Sequence, residues 1–318
     1  MVGEAERAIR LGSAVGSTVH GELLADGVTP VDAFAALFRV ATCHDGVKRM
    51  GLDARLALDL TPEASPFRSN ALLLSGVANL MGGDDRAADA DLADAAEVGN
   101  RLGVGEVVPG ALAARSILAI ARGDWESAES LAPQARSQVR QRRLDDYPSS
   151  ALVYAVSARV ALHSGELSAA SNDLVRTQRL RAQLTYAIPW LSVVVRLELA
   201  HAYLAVADPA GARTVLREIE GILRHRPDLG ILVKRVDEVK AKLEGMRVAA
   251  PGMSTLTSAE LRVLPFLATH LTLPEIGERL FLSRHTIKSQ AISTYRKLGV
   301  STRGEAVARS RELGLLEQ

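Results

Sequence analysis

Four nine-residue stretches decide the fold: Leu80-Met81-Gly82-Gly83-Asp84-Asp85-Arg86-Ala87-Ala88, Ile120-Ala121-Arg122-Gly123-Asp124-Trp125-Glu126-Ser127-Ala128, Leu162-His163-Ser164-Gly165-Glu166-Leu167-Ser168-Ala169-Ala170, and Leu204-Ala205-Val206-Ala207-Asp208-Pro209-Ala210-Gly211-Ala212. Each turns on a small residue followed by an acid, with an aliphatic three positions before the small residue and an alanine five positions after it. A further small residue lies seven positions before the turn: Gly76, Ser116, Ala158 and Ala200. The turns recur after 40, 42 and 42 residues. A fixed period of this length is the mark of a stacked repeat. The unit is a helix hairpin: small residues at facing positions let two antiparallel helices approach closely, and the aliphatics fill the seam. The acid lies beside the N-terminus of the second helix, where negative charge is favoured. The spacing therefore predicts four antiparallel hairpins over residues 70–228.

The pattern resembles tetratricopeptide-like repeats lengthened from their usual period. Outward from it, residues 1–69 form an expected N-terminal helical cap region. Val31 to Leu60 reads as helical, with Phe34, Leu37, Phe38 and Ala41 at helix spacing, and ends before Pro62. Leu232, Val236, Val239 and Leu243 make a one-sided stripe ending at Gly245, which predicts one more amphipathic helix and carries the repeat domain to residue 247. Residues 248–254, Val-Ala-Ala-Pro-Gly-Met-Ser, read as a linker before a last domain at 255–318.

Composition bounds the function classes. The 318 residues are 47% hydrophobic and 24% charged, as in an ordinary globular protein, with 4% aromatics and a bias towards helix formers. A net charge of +1 means that any basic function must be local. The single cysteine, Cys43, excludes an internal disulfide framework and a cysteine-based zinc site, and reads as a small buried residue. The acidic start, Met1-Val2-Gly3-Glu4-Ala5-Glu6, shows no secretory signal, and the most apolar window, Trp190 to Ala207, is broken by Arg196, Glu198 and His201. A cytoplasmic protein without a membrane partner is expected. The seven histidines are scattered, with no metal-ligand spacing and no Gly-x-Ser-x-Gly elbow, so neither an enzyme nor a metal or other cofactor is expected.

Past residue 254 helix punctuation is dense. Thr257 with Glu260, Thr272 with Glu275 and Thr302 with Glu305 have capping-box spacing; Pro274 suits a first helical turn, Ser283 an N-cap, and Gly299 a C-terminal stop. Four short helices follow, the first running to about Thr269, the second to near Phe281 and the last to Gly314. The expected core positions are Leu261, Leu264, Leu267, Ile276, Leu280, Ile287 and Leu298. Between Ser283 and Arg311 seven cationic side chains face the single acid Glu305. Helix, tight turn and helix under a local positive charge is the arrangement that lays a second helix in the DNA major groove.

These residues also carry a family resemblance. Leu256-Thr257-x-x-Glu260, Val263-Leu264, Pro274-Glu275-Ile276, Leu280-Phe281-Leu282-Ser283, Thr286-Ile287-Lys288 and Tyr295-Arg296-Lys297-Leu298-Gly299-Val300 resemble the LuxR-type helix-turn-helix of bacterial transcription regulators. The resemblance implies an all-α chain, a helical-hairpin repeat solenoid followed by a small four-helix LuxR-type domain, that acts as a sequence-specific regulator on double-stranded DNA. It implies that Lys288, Ser289 and Ile292 on the third helix face base edges, and that Arg284, Thr286, Arg296, Lys297 and Arg303 lie at phosphates. It implies a homodimer through the C-terminal helix at 303–313. An arm of this kind before such a domain is similar to the C-terminal part of large ATP-dependent LuxR-family regulators, and implies a protein or small-molecule effector on the arm. The chain is then a shortened regulator or a fragment of one. In this pattern Gln290 stands where histidine is usual, Ala291 and Thr294 replace buried aliphatics, and His270 holds a turn position usually taken by glycine, which predicts left-handed backbone there. Pro265 is expected to kink the first helix. The alternative is a helical-repeat interaction scaffold whose C-terminal module no longer binds DNA.

Overall fold

The computed structural model describes residues 30–206, 208–248, 256, 258–280, 282–313, 315 and 316. Among the described residues the chain is all-helical, with no strand. The arm comprises α1 (Pro30–Thr42), α2 (Gly46–Leu60), α3 (Arg68–Gly82), α4 (Asp85–Arg101), α5 (Val107–Ala121), α6 (Trp125–Gln141), α7 (Ser150–His163), α8 (Leu167–Arg181), α9 (Pro189–Ala205), α10 (Pro209–His225) and α11 (Ile231–Val248). The last domain holds α12 (Ser258–Leu267), α13 (Leu273–Leu280), α14 (Arg284–Leu298) and α15 (Arg303–Glu312). A helical-repeat arm followed by a four-helix module is the expected fold class.

The hairpins form where the spacing places them. Gly83, Gly123 and Gly165 adopt left-handed backbone at the turns, and Asp84, Asp124 and Asp208 each accept a hydrogen bond from a backbone N–H of the helix they open, at 3.0, 3.0 and 2.9 Å. Each acid is thus a direct N-cap, stronger than a mere charge near a helix end. The fourth turn's Ala207 lies outside the described residues. Ala88, Ala128, Ala170 and Ala212 are buried, and opposite one of them the Ser116 hydroxyl donates to the Ala128 carbonyl at 3.3 Å. The first helices α3, α5, α7 and α9 pack on one another in succession, whereas the second helices stand further apart and meet through long side chains, as in the Arg136–Asp173 and Arg181–Glu218 ion pairs. The inner helices α5, α7 and α9 are accordingly buried almost all round, whereas α4 and α10 bury one stripe each.

Three local expectations need correction. The stretch 31–60 is two helices, broken at Cys43, whose positive φ of 42° no helix accommodates. The stripe Leu232, Val236, Val239 and Leu243 is buried as expected, but α11 runs past Gly245 to Val248. His270 has no positive φ, so its turn carries no left-handed residue. Pro265 lies in the last turns of α12, and residues 249–255 and Thr257 lie outside the described residues.

The arm closes on itself, which the repeat spacing does not reveal. α11 packs on α9 and on α3, and α9 touches α1. The segment before α11 docks on the turn between α1 and α2: Arg226 Nε donates to the Thr42 carbonyl at 3.4 Å, and the Val47 N–H donates to Asp228 Oδ2 at 3.3 Å. Gly230, with φ of +56°, passes so close to the Met81 carbonyl that a β-carbon there would overlap it. Only glycine satisfies both the backbone sign and the space. The result is a ring of hairpins around an inner wall. No helix among the described residues is long and apolar enough to cross a membrane.

Candidate nucleic-acid interface

The last domain has its own core, of Leu256, Val263, Leu264, Leu267, Ile276, Ile287 and Ala291. Of the expected core positions Leu264, Leu267, Ile276 and Ile287 are buried, Leu280 and Leu298 pack at its edge, and Leu261 is exposed. Val263, Leu264 and Leu267 fix the inward face of α12, and Leu261 lies about 200° around the helix from Val263. The turn between α13 and α14 is tight: the Leu282 N–H donates to the Gly277 carbonyl at 2.8 Å, and a β-carbon on Gly277 would come within 2.7 Å of the Leu282 carbonyl.

Local chemistry sets the bounds of α14 and its neighbours. Ser283 Oγ accepts from the Thr286 N–H at 3.1 Å, and Gly299 ends α14 in a left-handed conformation with φ of 72°. Thr272 and Glu275 satisfy one another across the start of α13, and Thr302 and Glu305 form a full capping box on α15. These backbone bonds hold the Glu275 and Glu305 carboxyls below their usual range. Ile287, Gln290, Ala291 and Thr294 turn inward. That leaves His285, Lys288, Ser289, Ile292 and Arg296 on an exposed stripe of α14, with Arg284 exposed at its N-terminus. Ile292 is 53% exposed, although nothing apolar covers that position among the described residues.

Residues 254–310 match the family model of the bacterial regulatory proteins, luxR family. This stretch is a LuxR-family helix-turn-helix domain. The match covers under a fifth of the chain, and comparison with curated proteins gives no match to any part of it. The LuxR domain supplies the chain with a fold used for DNA-binding regulation.

Within the LuxR domain, Lys288, Ser289 and Ile292 share one exposed face, and Arg296 continues it two turns later. Thr286 is half-buried, its hydroxyl 2.8 Å from that of Ser283. Two expected phosphate contacts are engaged elsewhere. Lys297 Nζ lies 2.6 Å from Glu260, whose carboxylate is almost fully buried, so the lysine ties α14 to α12. Arg303 turns its whole guanidinium inward: Nε donates to the Leu267 carbonyl at 2.9 Å, Nη1 to Leu271 at 2.6 Å, and Nη2 to Phe266 and Thr269 at 3.0 and 2.7 Å. Phe266 and Leu267 end α12 and Thr269 and Leu271 lie in the loop after it; the Phe266 carbonyl also accepts from the Thr269 N–H at 3.1 Å. Arg303 is a helix C-cap supplied from a distant helix, because its planar fork spans several acceptors at once. His285 is the residue that sequence reading passed over: it lies one turn before Lys288 on the same face, a signal present in its i−3 spacing.

Gln290 is buried, and neither amide atom finds a partner among the described residues. A buried unpaired amide is costly, so the inner face of α14 is weaker than an aliphatic one would be.

Proposed function

We propose that the protein is a sequence-specific transcription regulator of a bacterial cytoplasm, with α14 of its LuxR domain in the major groove and its closed, tetratricopeptide-like arm sensing an effector. The observation that carries this reading is the stripe of α14 left exposed between two capped ends, with a lysine, a serine and an isoleucine side by side. Lysine donates to guanine O6 or N7, serine reads either type of edge, and an exposed isoleucine suits a thymine methyl. Arg284 and Arg296 flank the stripe and are assigned to phosphates, with Thr286 beside Ser283 at the helix start. The domain acts by binding and has no catalytic role. The C-terminal segment 303–313, which holds α15, is assigned to a homodimer contact, supported by the exposure of Leu313 and Leu315 at and past the end of that helix.

The test separates base reading from phosphate holding. Lys288→Ala is expected to weaken binding to a selected site by about 1–3 kcal/mol more than binding to random duplex. Arg296→Ala is expected to weaken both alike and to lower the salt slope by about one. Equal losses on both duplexes for Lys288→Ala would remove the base-reading assignment. Failure of the full chain to retard any duplex at low salt would favour the scaffold alternative.

A further inference from the structure

The ring of hairpins surrounds an open cavity of about 460 Å³. That volume lies within the range of about 300–1,000 Å³ typical of small-molecule sites. Its wall is aliphatic on α5 and α9, from Ile117, Val194 and Leu197, and charged where α7, α9 and α11 converge on Arg159, Glu198, His201 and Arg235. Glu198 is only 4% exposed, and both its oxygens accept from Arg159 Nη1, at 3.0 and 2.8 Å. That pair neutralises itself. Arg235 is different: half-buried on α11, it enters no hydrogen bond or ion pair among the described residues. Its guanidinium donors are therefore left to solvent or to a ligand in the cavity.

We propose that this cavity binds a small monocarboxylate with an apolar body, its carboxylate on the Arg235 guanidinium and its hydrocarbon against Ile117, Val194 and Leu197. The guanidinium of Arg235, unpaired among the described residues, selects this class, rather than the net charge of the wall. Glu198 inside and Asp85 and Glu238 among the lining residues repel a second negative charge, so a phosphate or dicarboxylate is disfavoured. A cationic ligand finds the one deeply buried acid of the wall already matched by Arg159. Burial, reinforced by Arg159, Lys242 and Arg235 against the opposing pull of Glu198, holds His201 below its usual range. The neutral imidazole offers the ligand a hydrogen bond without adding charge. α11 carries Arg235 and is the last helix before the LuxR domain, so an occupant that ties α11 to α5 and α9 reaches the element leading to the DNA-binding end. This consequence rests on the sensing role proposed for the arm; the binding site does not.

Calorimetric titration of the full chain with octanoate, 4-phenylbutyrate, octanol and octylamine tests it. Octanoate or 4-phenylbutyrate is expected to bind at one site per chain, with octanol and octylamine at least about tenfold weaker, as loss of a charge-assisted hydrogen bond implies. Arg235→Gln is expected to weaken carboxylate binding by a similar factor without lowering the melting temperature, since Arg235 has no protein partner to lose. Arg213→Gln, outside the cavity, is expected to bind as the parent does. Equal affinity for all probes, undiminished carboxylate binding by Arg235→Gln, or no heat from either carboxylate at millimolar concentration would overturn the proposal. A mobility shift with and without bound carboxylate separates the two ideas: binding as expected with unchanged DNA affinity keeps the site and removes the sensing role.

Discussion

Arg303→Ala is expected to loosen the LuxR domain without changing how strongly the domain is held by phosphates. The guanidinium donates four hydrogen bonds, of 2.6 to 3.0 Å, to the carbonyls of Phe266, Leu267, Thr269 and Leu271. A hydrogen bond from a charged donor contributes about 1.5–3 kcal/mol, but Arg303 is half-exposed and the freed carbonyls can take up water, so the loss is well below the sum, about 2–4 kcal/mol. At roughly 4–8 °C per kcal/mol for a domain of this size, the melting transition should fall by about 8 °C or more. Arg303→Lys should recover little, because an ammonium cannot span carbonyls on both sides of a helix end. Scanning calorimetry of the full chain gives the domain's transition, and binding isotherms across salt concentrations give the phosphate count. Arg303→Ala should leave the slope of log affinity against log salt unchanged. A slope lowered by about one, with an unchanged melting transition, would show that Arg303 holds a phosphate and refute the capping role.

Asp173 is fully buried, its carboxylate 3.1 Å from Arg136 but making no hydrogen bond among the described residues, and burial pushes that carboxyl up to about 6. The folded state therefore holds a proton that the unfolded chain has lost, and stability falls as pH rises from about 4 through 6, by at most about 3 kcal/mol. Asp173→Asn should raise the melting temperature at pH 7.5 and not at pH 4, and a gain independent of pH would defeat this account. Gly230→Ala combines left-handed backbone, worth about 1–2 kcal/mol, with an overlap on the Met81 carbonyl, so it should cost about 2–4 kcal/mol and speed amide exchange in α1, α2 and α11 together. Exchange confined to α11 would mean that the seam does not hold the ring. Gln290→Met, which removes an unpaired buried amide at similar volume, should stabilise the LuxR domain by about 1–3 kcal/mol. A lowered melting temperature would show that the amide has a partner after all.

The features legible in the sequence are those closed within a few residues. A Gly-Asp turn and its cap, a Thr-x-x-Glu box, and Ser283 at the head of α14 are satisfied by neighbours three positions away, so their identities and spacing already contain the structure. The small-residue period of the hairpins is of the same kind, and so is the exposed set Lys288, Ser289 and Ile292, which follows once Ile287 and Ala291 turn inward. Contacts between distant residues were not legible. Lys297 meets Glu260 across 37 residues, Arg303 reaches Leu267 across 36, and Val47 reaches Asp228 across 181. A basic residue that awaits phosphate and one buried in an ion pair or a carbonyl cap are the same letter, and Leu261 has the letter of a core residue on a face that no partner covers. Ring closure belongs to this second class as well. Closure depends on how successive hairpins stack, which no single hairpin's residues specify, and only the folded arm brings Asp228 to the α1–α2 turn and places Arg235 at the cavity.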